Sequence, residues 1–376
     1  MANNCVSPTI QILRYNSDGE LKEDYTSSNN NTYMMNCRLA RIGGCWDASF
    51  NVIRQVNHIG TLQTGDMIFI NYSGTRLWRG WVDSYESKSG DLEVKCVGAW
   101  KALKSLYPDN KRFGSEADSA EDDEENEYSD LTTSSVIIQN LINDLLATSD
   151  ITLEGGIDGS DNSVYVLDVD GTADLLTICA DLAERAGNWS VGVNEHLIFY
   201  LTDPGYYNAL DFKACEGNTY RITDMDKVDS TAWTDMPTSI VIKGAGGYEE
   251  TFDADWLGYE KVKVAGIDIV NRQVITLPHI GPTEESTYST QYTGWTLGDV
   301  VSVDAAAFVD QYYHKLLKQR FRLTCENLNQ RVYPWVDYAR VWDVSKTFMG
   351  SFLIDMVEYE SRSANISIKT MEISDL

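Results

Sequence analysis

The sequence predicts an α+β fold, mainly antiparallel β, in which two related barrel-like β domains flank a smaller α+β domain. Three observations carry that prediction. The first hundred residues alternate apolar and polar positions between turn signals. Helix-period segments are confined to the middle of the chain and to one stretch near its end. A segment near the start reappears near the finish with its order of features kept. At 376 residues the chain has room for about two to four domains, each with its own core.

Strand-like segments occupy Thr9–Arg14, Cys37–Ile42, Ala48–Ile53, Asp66–Tyr72, Arg76–Tyr85 and Leu92–Val97. In Leu92-Glu-Val-Lys-Cys96 apolar and charged residues take turns, as on a sheet with one buried face. Asp18-Gly19, Ser73-Gly74 and Gly90-Asp91 supply the turn chemistry between strands. The run from Glu116 to Asp130 is dominated by carboxylates, repels itself and reads as a solvated linker. It lacks the ligand spacing and turn glycine of a calcium loop.

Three helices are expected. The first is capped by Thr133 or Ser134 and sets Ile137, Leu141, Ile142 and Leu145 on one face. The second starts at Thr172 after Asp170-Gly171, and Gly187 stands where a C-terminal cap favours a left-handed residue. The third runs from Asp304 to about residue 320, with Lys315, Lys318 and Arg320 gathered at its cation-favouring end. Two short strands around Asn194-Glu195 follow the second helix as a hairpin, so an α+β unit from about residue 131 to 215 is expected. Further strands are read at Ser239–Lys243 and Lys261–Thr276.

The repeat is the most informative feature. Tyr85-Glu-Ser-Lys-Ser is matched by Tyr359-Glu-Ser-Arg-Ser, and Leu92-x-Val-Lys by Ile366-x-Ile-Lys. Upstream, Asp66 and Asp337 each open a strand leading to an aromatic-x-glycine step, Trp78-Arg-Gly80 and Phe348-Met-Gly350. In this reading the aromatic enters the core and the glycine permits close backbone approach. A duplicated β domain suits a pseudosymmetric ring, because three subunits with two copies each present six similar surfaces.

Composition excludes several functions. The formal charge of −27 argues against a nucleic-acid grip, which needs clustered Lys and Arg. It fits either plain solubility or an acidic wall along which a polyanion slides. The seven cysteines are scattered and form no C-x-x-C pair, so neither a disulfide framework nor a zinc site is expected. His58, His196, His279 and His314 fall in no metal-ligand spacing, and no nucleophile elbow or Walker-type loop is present. Gly244-Ala-Gly-Gly247 reads as a turn, and Asp168-Val-Asp170 as helix entry. No catalytic residue, cofactor or metal is therefore assigned. Trp233, Trp256 and Trp295 lie in irregular surroundings and are candidates for exposed contacts, such as stacking on a sugar. No apolar run is long enough to cross a bilayer, and Met1-Ala-Asn-Asn-Cys5 lacks the features of a secretory signal, so assembly in a cytoplasm is expected.

Through Gly65-Asp66 to Gly80, Thr172–Tyr200 and Gly350–Met371, the chain resembles the baseplate or tail-tip hub proteins of tailed phages and related contractile injection machines. The likeness extends loosely over most of the chain and rests on patterns of strand, glycine and aromatic. It implies two tube-type β-barrel domains in a homotrimer that joins a hexameric tail tube to a central spike. Other baseplate proteins would be partners, no membrane would be involved, and DNA or tape-measure protein would pass through without specific binding. The first barrel is expected over residues 1–105, with 216–245 as candidates to complete it. The acidic linker and helix–hairpin domain would span 106–215, and the second barrel 246–376 with its helix near 304–320. A distal-tail adaptor ring and a glycan- or receptor-binding tail module are the alternatives.

Overall fold

The computed structural model describes residues 10–16, 18–25, 32–52, 62–72, 74–88, 91–109, 111–113, 132–153, 164–165, 167–169, 171–186, 188–214, 220–228, 237–243, 249–253, 263–264, 267–268, 271–276, 309, 320–327, 331–343, 345–362 and 365–375. The acidic run, the helix expected near 304–320, Gly244–Gly247 and Trp233, Trp256 and Trp295 lie outside them, apart from the single helical residue Val309.

The N-terminal strands are β1 (Ile10–Tyr15), β2 (Leu21–Asp24), β3 (Thr32–Ala40), β4 (Ile42–Val52), β5 (Met67–Tyr72), β6 (Thr75–Lys88) and β7 (Asp91–Val97). Their alternation is realised as expected: Ile10, Ile12, Leu92, Val94 and Cys96 point inward while their neighbours do not. Next come α1 (Trp100–Leu103), β8 (Lys111–Phe113), β9 (Thr132–Thr133), α2 (Ser134–Leu146), β10 (Val164–Tyr165), β11 (Leu167–Val169), α3 (Leu175–Arg185), β12 (Ser190–Val193) and β13 (Phe199–Thr202). The chain continues with β14 (Asn208–Lys213), β15 (Tyr220–Val228), β16 (Ser239–Lys243), β17 (Glu249–Asp253), β18 (Lys263–Val264), β19 (Ile267–Asp268) and β20 (Arg272–Thr276). It ends with β21 (Arg320–Asn327), β22 (Asp337–Trp342), β23 (Phe348–Arg362) and β24 (Asn365–Asp375).

Two arrays of six strands dominate. The first runs β1-β5-β6-β7-β4-β3, with β2 outside β1. The second runs β14-β22-β23-β24-β21-β15, and β15 pairs back onto β14 to close the ring. Counted in chain order, both arrays read first, fourth, fifth, sixth, third, second. They differ at one strand: β1 lies antiparallel to β5, whereas β14 lies parallel to β22. Strand β15 therefore belongs with the second array, and β16 pairs with β17 and β20 in a separate sheet. Among the described residues, nothing from 216–245 completes the first array. The pairings also draw β14 and β15, which precede residue 246, into the second.

The bulges repeat as well. In the second strands Met35 of β3 and Thr223 of β15 are extra residues against their partners. In the fifth strands the extra residues are Asp83 of β6 and Asp355 of β23. A bulge redirects a strand and increases its twist, so matched bulges mean matched curvature.

The helices pack with the β12–β13 hairpin in a core of their own, against Trp46 and Trp81 of the first array. Thr133 caps α2 by accepting from Val136 N–H. Helix α3 begins at Leu175 and not at Thr172, because the Asp174 carboxylate takes the Thr177 N–H at 3.0 Å. Gly187, the expected C-terminal cap, lies outside the described residues, but Asn188 has φ 60° and donates its N–H to Glu184 O. A short polar side chain tolerates that left-handed conformation. The hairpin turn is made by Asn194, whose Oδ1 accepts from His196 and Ile198 N–H.

Candidate assembly surface

Backbone geometry treats Asp66 and Asp337 alike. Asp66 Oδ2 accepts from Gln63 N–H at 2.9 Å, and Asp337 Oδ2 from Tyr333 N–H at 2.7 Å. Each aspartate also returns its own N–H to the carbonyl of that same residue. Both are buried turn-closing carboxylates at the entrance to a fourth strand. Their charge partners differ, since Arg14 Nε lies 2.7 Å from Asp66. Burial pushes the Asp337 carboxyl up to about 6.

The two aromatic-glycine steps are not at the same level. Trp78 sits opposite Ile70 and Gly80 opposite Ile68, whereas Gly350 sits opposite Val341 and Phe348 opposite Trp342 beside the turn. Trp78 is fully buried, but Phe348 is 51% exposed and packs on Trp342 at 5.1 Å, so it does not enter the core. Phe352 fills the second array instead, opposite Ala339 and buried. A side chain at Gly80 would strike the Trp78 ring, and one at Gly350 would press on the Phe352 ring at 3.2 Å. Each glycine thus makes room for an aromatic two residues away, ahead of it in one array and behind it in the other.

Tyr359 and Tyr85 also part company. Tyr359 is fully buried, and its hydroxyl donates to Val332 O at 3.0 Å and accepts from Val332 N–H at 2.8 Å. Tyr85 is 37% exposed. Tyr359→Phe is expected to lower stability by about 1–3 kcal/mol, because both backbone groups of Val332 lose a buried partner. Tyr85→Phe should move the denaturation midpoint by no more than roughly 0.5 kcal/mol, as surface changes do. Urea titration of the two variants checks the contrast.

The arrays meet along one seam. Residues Met356 to Tyr359 of β23 run antiparallel to Ala40 to Cys37 of β3, with Glu358 opposite Arg38. Met34 N–H donates to Ser361 Oγ at 2.8 Å beyond the ladder. At its other end stands Arg41, buried between β3 and β4. Its N–H donates to Asp355 O, its Nε lies 3.2 Å from Asp355 Oδ1, and Nη1 donates to the carbonyls of Asn188 and Trp189. One guanidinium therefore ties together the first array, the second array and the helix–hairpin unit. Sequence reasoning passed over Arg41; the available signal was a cation inside an apolar strand pattern, separated by one residue from Gly43-Gly44.

Glu195, in the β12–β13 turn, is buried with Oε2 lacking a hydrogen-bond partner among the described residues. Burial pushes its carboxyl up to about 7, against the opposing pull of Arg331 and Arg76. His196 Nε2 lies 3.4 Å from its other oxygen. Among the described residues no group of three His, Cys, Asp or Glu is placed to hold a metal. This surface joins the two strand arrays edge to edge.

The fold is that of phage tail proteins. The chain superposes on the tail protein from Neisseria meningitidis MC58 with a TM-score of 0.60 at 9% identity, covering 98% of this chain and 96% of that one. It superposes on the 43 kDa tail protein of prophage MuSo2 from Shewanella oneidensis with a TM-score of 0.59 at 11% identity, covering 98% of both. No protein-family model and no curated protein sequence matches the chain.

Proposed function

We propose that this chain is a non-enzymatic structural protein of a phage-type virion: a homotrimeric baseplate hub that joins a hexameric tail tube to a central spike. The observation that carries the reading is the repeated strand order, six strands connected alike at both ends of one chain, in a fold shared with tail proteins. Two such arrays per subunit, taken three times, offer six similar positions to a sixfold tube while keeping a true threefold axis for a spike. In this reading both arrays are tube-type barrel domains, the first within residues 1–105 and the second built from β14, β15 and residues 246–376. The acidic excess lines a channel for DNA or tape-measure protein, whose phosphates or carboxylates it would repel and release.

Native mass spectrometry and averaged electron micrographs of the full chain, alone and with its tube protein, test this. A three-copy mass and a ring of six lobes are the expected results. A chain that remains monomeric and fails to join the tube end overturns the proposal.

A further inference from the structure

The seam within the chain uses only half of the edges that could make it. It joins the second strand of the first array, β3, to the part of the second array's fifth strand that follows its bulge at Asp355. The reciprocal edges are the second strand of the second array, β15, and the part of β6 that follows its bulge at Asp83. Among the described residues these edges are open. Strand β15 meets β14 only at Tyr220 and Arg221, leaving Thr223 to Asp226 with no strand on that side. Strand β6 meets β5 only as far as Trp81, and Val82 closes that ladder through Asp66 O and Gly65 N–H.

Burial tells the same story. Where the seam is made, Cys37, Leu39, Val357 and Tyr359 are all buried. At the reciprocal positions of β6 Tyr85 and Ser87 are exposed, and on β15 Met225 is only half-buried. Met225 N–H is meanwhile satisfied by the neighbouring Asp224 Oδ1 at 2.9 Å, a local substitute for a missing strand. An edge with open backbone groups is a template for another strand, and native proteins normally cover it.

We infer that β6 of one copy, from Ser84 to Ser87, pairs antiparallel with β15 of the next copy, from Met225 to Val228, repeating between chains the seam that exists within each. The occupant is a second copy of this chain, because the counterparts of these two edges, β3 and β23, already pair with each other within the chain. Anchoring both strands on their bulges sets Ser87 opposite Met225 and Glu86 opposite Asp226. Like charges directly opposite are unfavourable, so association strengthens as salt screens them. The contact is head to tail and closes into a ring when the rotation per copy allows. This inference rests on the hub reading and adds to it which edges meet.

The test is disulfide trapping in the full chain with Cys5→Ser and Cys215→Ser, the other five cysteines being buried. The pair Ser87→Cys with Met225→Cys is expected to give covalent oligomers on a non-reducing gel, more at high salt, while either single change gives none. Tyr85→Cys with Met225→Cys reports the same edges slipped by two residues. Copies that associate while neither pair cross-links overturn the edge assignment and leave the hub standing. A chain that stays monomeric at every salt and protein concentration overturns both.

Discussion

Gly44→Ala is expected to cost roughly 2–5 kcal/mol and to loosen the helix–hairpin unit from the first array. Gly44 has φ 85°, a conformation that a side chain resists, and a Cβ there would lie 1.9 Å from Val193 O and 2.6 Å from Val193 C. Those atoms belong to the backbone of β12, which pairs parallel with β4 through Val191, Gly192 and Val193, so no side-chain rotation can relieve the clash. The opposing residue is equally constrained, since a Cβ at Gly192 would lie 2.5 Å from Gly43 C. Relief requires the three paired residues to separate, exposing Val191, Val193 and the Trp46 and Trp81 surfaces they cover. Thermal melts should show the loss, and limited proteolysis should release a fragment within 106–215 before the rest of the chain is cut. An unchanged melting temperature and digestion pattern would show that the close approach of β4 and β12 does not hold the unit in place.

Much of this architecture could be read from the sequence, because the features that define it are local. Alternation marked the strands of the first array, and the Tyr-Glu-Ser-x-Ser hairpins at residues 85 and 359 pointed to two units with one connectivity. The equivalence of Asp66 and Asp337 was legible for the same reason, since a turn carboxylate acts within four residues of itself. Levels along a strand were harder to read. Phe348-Met-Gly350 looks like Trp78-Arg-Gly80, yet the β22–β23 turn spans five residues and the β5–β6 turn two, which carries Phe348 out to the tip. Only pairing register decides whether an aromatic points into a core, and register depends on turn length. The membership of β14 and β15 in the second array was hard to read for a related reason. Strands β14 and β15 are separated from β21 by a long insertion that includes the β16–β20 strands, and no local signal says which array a strand will join. The role of Arg41 was hard to read because it lies in three partners more than a hundred residues away.

Acidification from pH 8 to about 5 is expected to stabilise the fold, contrary to the usual behaviour of carboxylates paired in a native state. Glu195 and Asp337 are both buried, with carboxyls raised to about 7 and about 6. A group whose folded pKa lies above its unfolded value contributes stability that is fully present below the unfolded pKa, near 4, and is lost as pH rises through the folded pKa. The native state therefore gains between pH 7 and 4 from each of these two groups, by about 3 kcal/mol per group as an upper figure. Relief of self-repulsion in a chain of charge −27 acts in the same direction over this range. The two contributions separate by mutation, because Glu195→Gln with Asp337→Asn removes the buried charges and leaves the surface untouched. Asn at 337 can still accept the Tyr333 N–H, so the turn is kept. Urea midpoints measured from pH 5 to 8 should fall with pH in the parent chain, and the double variant should show a flatter profile and higher stability at pH 8. A double variant whose profile runs parallel to the parent's would assign the whole pH dependence to surface charge. The positions of the two buried carboxyls make the result bear on the seam between the arrays. Glu195 lies in the hairpin of the unit that Arg41 ties to the seam, and Asp337 opens the strand beside β23. Residual charge at neutral pH therefore sits next to the joint between the arrays.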